Sequence, residues 1–181
     1  SAQLIDISGD KMQMLLDFPT DGEPHYAQGI AADIVAPNCT KIYKLEENNH
    51  PRVARSESDA KVVRESDGVH VYMTSIRSHF APDNIEGIQQ GETVWFHVTN
   101  LEQDWDTPHG FAMMGANNAE LLIMPGSTRT LKWVAEKVGV FPFYCTDFCS
   151  ALHQEMQGYI RVSPASANVP LTATLGGRSF E

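Results

Sequence analysis

Cysteine is scarce in this chain of 181 residues, which carries only Cys39, Cys145 and Cys149. So small and odd a number excludes a disulfide-stapled fold and leaves one thiol unpaired. Positive charge is short as well: 13 Lys and Arg stand against 23 Asp and Glu, a formal net charge of −10. That excess of carboxylates argues against nucleic acid, because it repels phosphates, and it suits a soluble surface able to steer a basic protein partner. Long apolar runs are missing too. "MQMLLDFP" is broken by Asp17 and Pro19, well short of the roughly 20 apolar residues that cross a bilayer, so no membrane span is expected. No charged-then-apolar leader precedes Ser1, and the chain reads as a mature product or a fragment. No internal repeat is visible.

What is present is strand, punctuated by turns. The first sixty or so residues hold short apolar bursts separated by "SGD", "PTDGEP" and "APN", an irregular extension with no long helical period. The polar run "EENNHPRVARSESD" (46–59) resembles a linker or surface crossing, which puts a boundary near residues 50–65. Beyond it the strand signals become regular. "VHVYMTSIR" (69–77) sets Val69, Val71 and Met73 on one face, and "GETVWFHVTN" (91–100), "STRTLKWVA" (127–135), "GVFPFYC" (139–145) and "GYIRVS" (158–163) follow. Strands recurring with short turns and no amphipathic helix between them predict an all-β protein, an antiparallel β-sandwich or barrel. The division expected is an extension over 1–60, a sandwich domain over 61–165, and a Pro-, Ala- and Gly-rich surface tail over 166–181.

One stretch carries chemistry. "VFPFYCTDFCSALHQEMQGYIRV" (140–162) packs Cys145, Cys149, His153 and Met156 into twelve residues. Thiolate and thioether are soft donors and imidazole is borderline, a set that favours copper over magnesium, calcium or manganese. A mononuclear blue-copper site uses one Cys, two His and often a weak Met, so the second thiolate is one more than it needs. It makes sense if both sulfurs bridge two metals. A second imidazole is offered by His109 in "DTPHGFAMM", at the start of another apolar segment. Two other readings use the same residues: a disulfide, which leaves the His and Met without a role, and a tetrahedral zinc on Cys145, Cys149, His153 and His109. Met156 weighs against zinc.

The C-x3-C-x3-H-x2-M spacing, with a histidine upstream and strands on both sides, is similar to the binuclear CuA motif. Two families carry that motif: subunit II of haem–copper oxidases, and nitrous oxide reductase in its C-terminal cupredoxin domain. "FYCTDFCSALHQEMQGY" resembles the reductase version, and "GEPHYAQ" (22–28) resembles the end of that family's N-terminal β-propeller, where a histidine helps bind the four-copper CuZ cluster. The resemblance implies a cupredoxin-like sandwich in which Cys145 and Cys149 bridge two coppers and His109 and His153 each bind one. It makes Met156 a weak axial ligand and gives the other copper the backbone carbonyl of Asp147, where some relatives carry Trp. It implies that His25 is a CuZ ligand in a full-length enzyme only, because the chain has no propeller to complete that cluster.

The function implied is electron transfer: the domain accepts electrons from a small redox protein, a c-type cytochrome or a cupredoxin, for an oxidoreductase that turns nitrous oxide into dinitrogen and water. The whole enzyme is then a periplasmic head-to-tail homodimer. A soluble CuA domain of cytochrome c oxidase subunit II and a copper-delivery module are the alternatives. Outside this set, Cys39 is expected as a structural or partly exposed thiol, and Met113, Met114 and Met124 as core filling. His70, His79 and His97 are expected as surface or hydrogen-bonded residues and His50 as solvated.

Overall fold

Val69, Val71 and Met73 are all fully buried, as the period-two alternation of their segment requires. The same logic runs through a computed structural model that describes residues 2–6, 13–18, 44–104, 106–116, 120–176 and 178–180. The chain divides into two units, Ser1–Ile42 and Tyr43–Glu181. In the first, β1 (Ala2–Asp6) pairs antiparallel with β2 (Gln13–Phe18), with a register shift between Leu4 and Ile5. His25, Cys39 and the "GEPHYAQ" segment lie outside the described residues.

The second unit is built from β3 (Lys61–Glu65), β4 (Gly68–Ile76), β5 (His79–Ala81), β6 (Asn84–Gln89), β7 (Thr93–Asn100), β8 (His109–Met113), β9 (Glu120–Ile123), β10 (Thr128–Val134), β11 (Gly139–Tyr144), β12 (Gln157–Ser163), β13 (Thr172–Leu175) and β14 (Arg178–Phe180). One sheet has the order β10-β7-β4-β3, with β5 also on β4, and the other β14-β13-β6-β12-β11-β8-β9. Most neighbours are antiparallel, and each sheet contains one parallel pair, β4 with β7 and β6 with β12. The inner faces share one core. Val94, Phe96, Val98, Leu131 and Trp133 come from the first sheet and Ile85, Phe111, Phe143, Ile160 and Val162 from the second. Phe80, Phe96, Phe111 and Phe143 form a fully buried aromatic cluster with ring centroids 5.3–6.1 Å apart, each ring contributing about 1.5–3 kcal/mol by leaving water.

Several expectations change. The tail is not wholly superficial: β13 pairs with β6, and Ala173 and Leu175 are buried, because "TATL" alternates as a half-buried strand does. Met113 fills the core, but Met114 is exposed and Met124 half-buried; consecutive strand residues face opposite ways, so Met113 and Met114 cannot both point inward. His50 is half-buried rather than solvated, whereas His70 and His97 meet the second of their two expectations, hydrogen-bonded and buried. The polar run 46–59 lies on the sandwich. Asn48 donates to the Gly126 carbonyl at 2.9 Å and to Thr128 Oγ1 at 2.8 Å, and the Ala54 amide to Thr99 Oγ1 at 3.2 Å.

Candidate metal centre

Two neighbouring strands aim the first donors. β8 and β11 pair with Phe143 opposite Met113, so alternation places His109, Phe111 and Met113 on the inner face with Phe143 and, one residue beyond the strand, Cys145. The cluster therefore stands at one end of the aromatic core. β11 and β12 pair with Tyr144 opposite Gln157, and the Cys145 amide donates to the Met156 carbonyl at 3.0 Å. That bond closes the base of the loop that carries the other donors. Within it a short 3-10 turn, His153–Glu155, is held by the His153 amide on the Ser150 carbonyl at 3.0 Å. Ser150 Oγ is itself 2.7 Å from Ser78 Oγ in the turn after β4.

The result is a convergent set of donors. Cys145 Sγ lies 3.9 Å from Cys149 Sγ and 3.8 Å from His109 Nδ1. Cys149 Sγ lies 3.8 Å from both His153 Nδ1 and Met156 Sδ. Both thiols are free. Sulfur and nitrogen donors on one tetrahedral ion stand roughly 3.6–3.8 Å apart, so the spacing already suits metal binding. The Asp147 carbonyl, 3.2 Å from Cys145 Sγ, accepts from that thiol and is turned into the cluster. The thioether of Met156 is fully buried beside Cys149, and a soft sulfur in that place fits copper better than zinc. The structure thus brings together His109, Cys145, the Asp147 carbonyl, Cys149, His153 and Met156.

Burial tunes these groups. It is the main cause that pushes the Cys145 thiol up to about 12, with Cys149 adding to it and main-chain hydrogen bonds from Gly110 and Asp147 opposing it. Cys149 is raised, again chiefly by burial. His109 is lowered by burial, against the pull of Glu102. At neutral pH the thiols hold their protons, and a metal must displace them. His109 is neutral there, and its Nε2–H donates to Glu102 Oε1 at 3.2 Å, leaving the Nδ1 lone pair facing Cys145.

Glu102 was not foreseen from sequence, where one acid among 23 acidic residues carries no local signal. It is buried and also accepts from the Arg77 amide at 2.7 Å, while its own amide donates to Asn100 Oδ1 at 2.9 Å. A carboxylate behind a ligand imidazole fixes the tautomer and raises its basicity. Glu102→Gln is expected to weaken copper binding about 10–100-fold in a chelator competition, with the fold retained.

The cupredoxin-like two-sheet sandwich ends in two thiols, two imidazoles and a thioether, a donor set suited to a soft metal ion. A solved haem–copper terminal oxidase dimer has the same fold, with a TM-score of 0.51 and 22% identity over 64% of this chain and 74% of that one. The chain is 36% identical over 174 residues to the nitrous-oxide reductase of Stutzerimonas stutzeri, covering 90% of this chain and 26% of that protein. It is 32% identical over 93 residues to cytochrome c oxidase subunit 2 of Thermus thermophilus, covering 51% and 64% respectively. A family model described as a nitrous oxide reductase propeller repeat matches residues 1–25. The chain is thus similar to the nitrous-oxide reductases over nine-tenths of its length, and it spans about a quarter of theirs.

Proposed function

We propose that the cluster holds a binuclear copper centre and that the chain is the electron-accepting domain of a nitrous-oxide-reducing oxidoreductase. Cys145 and Cys149 would bridge the ions, with His109 and His153 on one each, Met156 as a weak ligand and the Asp147 carbonyl completing the set. Two coppers held by these residues would supply one-electron transfer with the charge change shared between them and so a small reorganisation barrier. The chain's own part is to keep the donors still. His109 is fixed through Glu102, the loop is clasped between Cys145 and Met156, and the turn is tied at Ser150 to Ser78. The observation that carries the reading is the pairing of two adjacent thiols with one imidazole each, a set larger than a mononuclear site uses.

The rim supports exchange with a protein partner. Phe148 is 75% exposed and Leu152 61% exposed, an apolar lip beside the half-buried Cys149 and His153. A small redox protein such as a c-type cytochrome or a cupredoxin would dock there. Reduction of nitrous oxide to dinitrogen and water would occur at a CuZ cluster outside this chain, to which His25 would contribute, in a periplasmic homodimer. The propeller-repeat match at residues 1–25 favours this reading over an oxidase subunit II.

The test is a copper count with an electron paramagnetic resonance spectrum of the oxidised, copper-loaded chain. Two coppers with hyperfine splitting shared by two equivalent nuclei are expected. A single copper with single-nucleus splitting, or bound zinc, would sink the reading, and copper handed to an acceptor on each reduction would favour a delivery protein.

A further inference from the structure

The outer face of the first sheet carries polar side chains that copper binding does not use. Across β4, β7 and β10 the register aligns Tyr72 with His97 and Thr130, and His70 with Trp95 and Lys132. The segment 46–59 lies over this face through Asn48, His50, Arg52 and Ala54. Beneath it one hydrogen-bond chain runs across three imidazoles. The Arg52 amide donates to His50 Nδ1 at 3.1 Å, and His50 Nε2 is 3.3 Å from Thr130 Oγ1. Thr130 Oγ1 is 2.8 Å from His97 Nδ1, His97 Nε2 is 2.9 Å from His70 Nδ1, and His70 Nε2 is 2.9 Å from Asp67 Oδ1. The His70 and His97 rings are 9° from parallel with centroids 5.2 Å apart, a nearly coplanar N–H···N contact.

The two ends fix the direction of every link. A peptide N–H can only donate and an ionised carboxylate can only accept. His50, His70 and His97 must therefore all carry hydrogen on Nε2, and the Thr130 hydroxyl must accept from His50 and donate to His97. A further proton on either of the first two imidazoles costs a link. On His50 it sets Nδ1–H against the Arg52 N–H, and on His97 it makes the Thr130 hydroxyl turn its own O–H away to accept from both rings. His70 ends the chain with its Nε2–H on Asp67 and, at 3.9 Å, also faces Glu65. A further positive charge on this face also meets the Arg52 guanidinium, which Glu65 holds at 2.5 and 2.8 Å. The other cations on this face stand over rings, Lys61 4.8 Å from the Tyr72 centroid and Lys132 5.0 Å from that of Trp95, and add to the repulsion.

We propose that residues 46–59 are an acid-released strap: protonation of His50 and His97 loosens the segment from the sheet. The direction follows from the imidazoles. Burial, then neighbouring His70, holds His97 down at about 4, and burial followed by Arg52 lowers His50. The folded state binds these protons more weakly than the unfolded chain does. The hold is therefore complete above the ordinary histidine value near 6.5 and is lost as pH falls towards about 4.

Hydrogen exchange of the copper-loaded chain, corrected for intrinsic rates, tests this at about pH 7.5 and about pH 5. Protection over 46–59 is expected to fall at least about tenfold at the lower pH while that of β11 holds, and His97→Gln should flatten the response. Unchanged protection in the wild type, or an equal fall in His97→Gln, overturns the proposal. Imidazole nitrogen spectra of the wild type supply a readout that needs no variant. All three histidines must carry the Nε2–H at about pH 7.5, and an Nδ1–H form at His97 refutes the chain.

Discussion

Replacing Cys149 by serine is expected to reduce the copper content from two ions per chain to one or none and to abolish the two-nucleus hyperfine pattern. Cys149 is the hub of the cluster, with Cys145, His153 and Met156 all 3.8–3.9 Å from its sulfur. A serine hydroxyl keeps the size of the side chain but not the soft, ionisable donor that copper requires. The residue is only half-buried, so the metal-free variant should unfold within about 1 kcal/mol of the wild type. Loss of copper without loss of fold would assign the effect to coordination. Two coppers with an unaltered spectrum in Cys149→Ser would remove the bridging role.

Gly110→Ala is expected to destabilise the domain by about 3 kcal/mol or more, measured by denaturant unfolding, and to disturb copper loading with it. A Cβ there would stand 1.9 Å from Thr146 Oγ1 and 2.8 Å from the backbone nitrogens of Thr146 and Asp147. The hydroxyl can rotate, but it is tied to Glu120 at 2.5 Å, and the two peptide nitrogens belong to the ligand loop and cannot yield without moving it. The glycine directly follows His109, a proposed ligand, and its amide opposes the upward shift of the Cys145 thiol. Stability and metal affinity should fall together. An alanine variant as stable as the wild type would show that the loop can withdraw from β8 at little cost.

The local part of the site was legible because its donors recur at short spacing in one loop. His109 was legible only by pairing an isolated histidine with the chemistry of the others, since its approach depends on β8 lying beside β11. The strands β4, β7, β10, β11 and β12 were visible from alternation or β-branched content. β5, β9, β13 and β14 are three or four residues long, too short for periodicity to separate them from turns. Glu102 and the strap over His97 were hidden for a different reason. Both act through partners far away in sequence, 25 residues in Glu102–Arg77 and 80 in His50–Thr130, and a buried polar group gives no local pattern to read.

The separation of His109 from Cys145 has a consequence for the energetics of the unloaded chain. The two lie 36 residues apart in sequence, whereas the remaining donors fall within one short loop. An ion joining both sets would act as a cross-link closing a long circuit of chain. By the loop-entropy relation such a closure restricts the unfolded ensemble by about 3–4 kcal/mol, most of it carried by the single distant imidazole. The copper domain should therefore melt at a temperature that depends on its loading. A His109 variant should forfeit more of that gain than a Met156 variant, although both residues touch the same cluster.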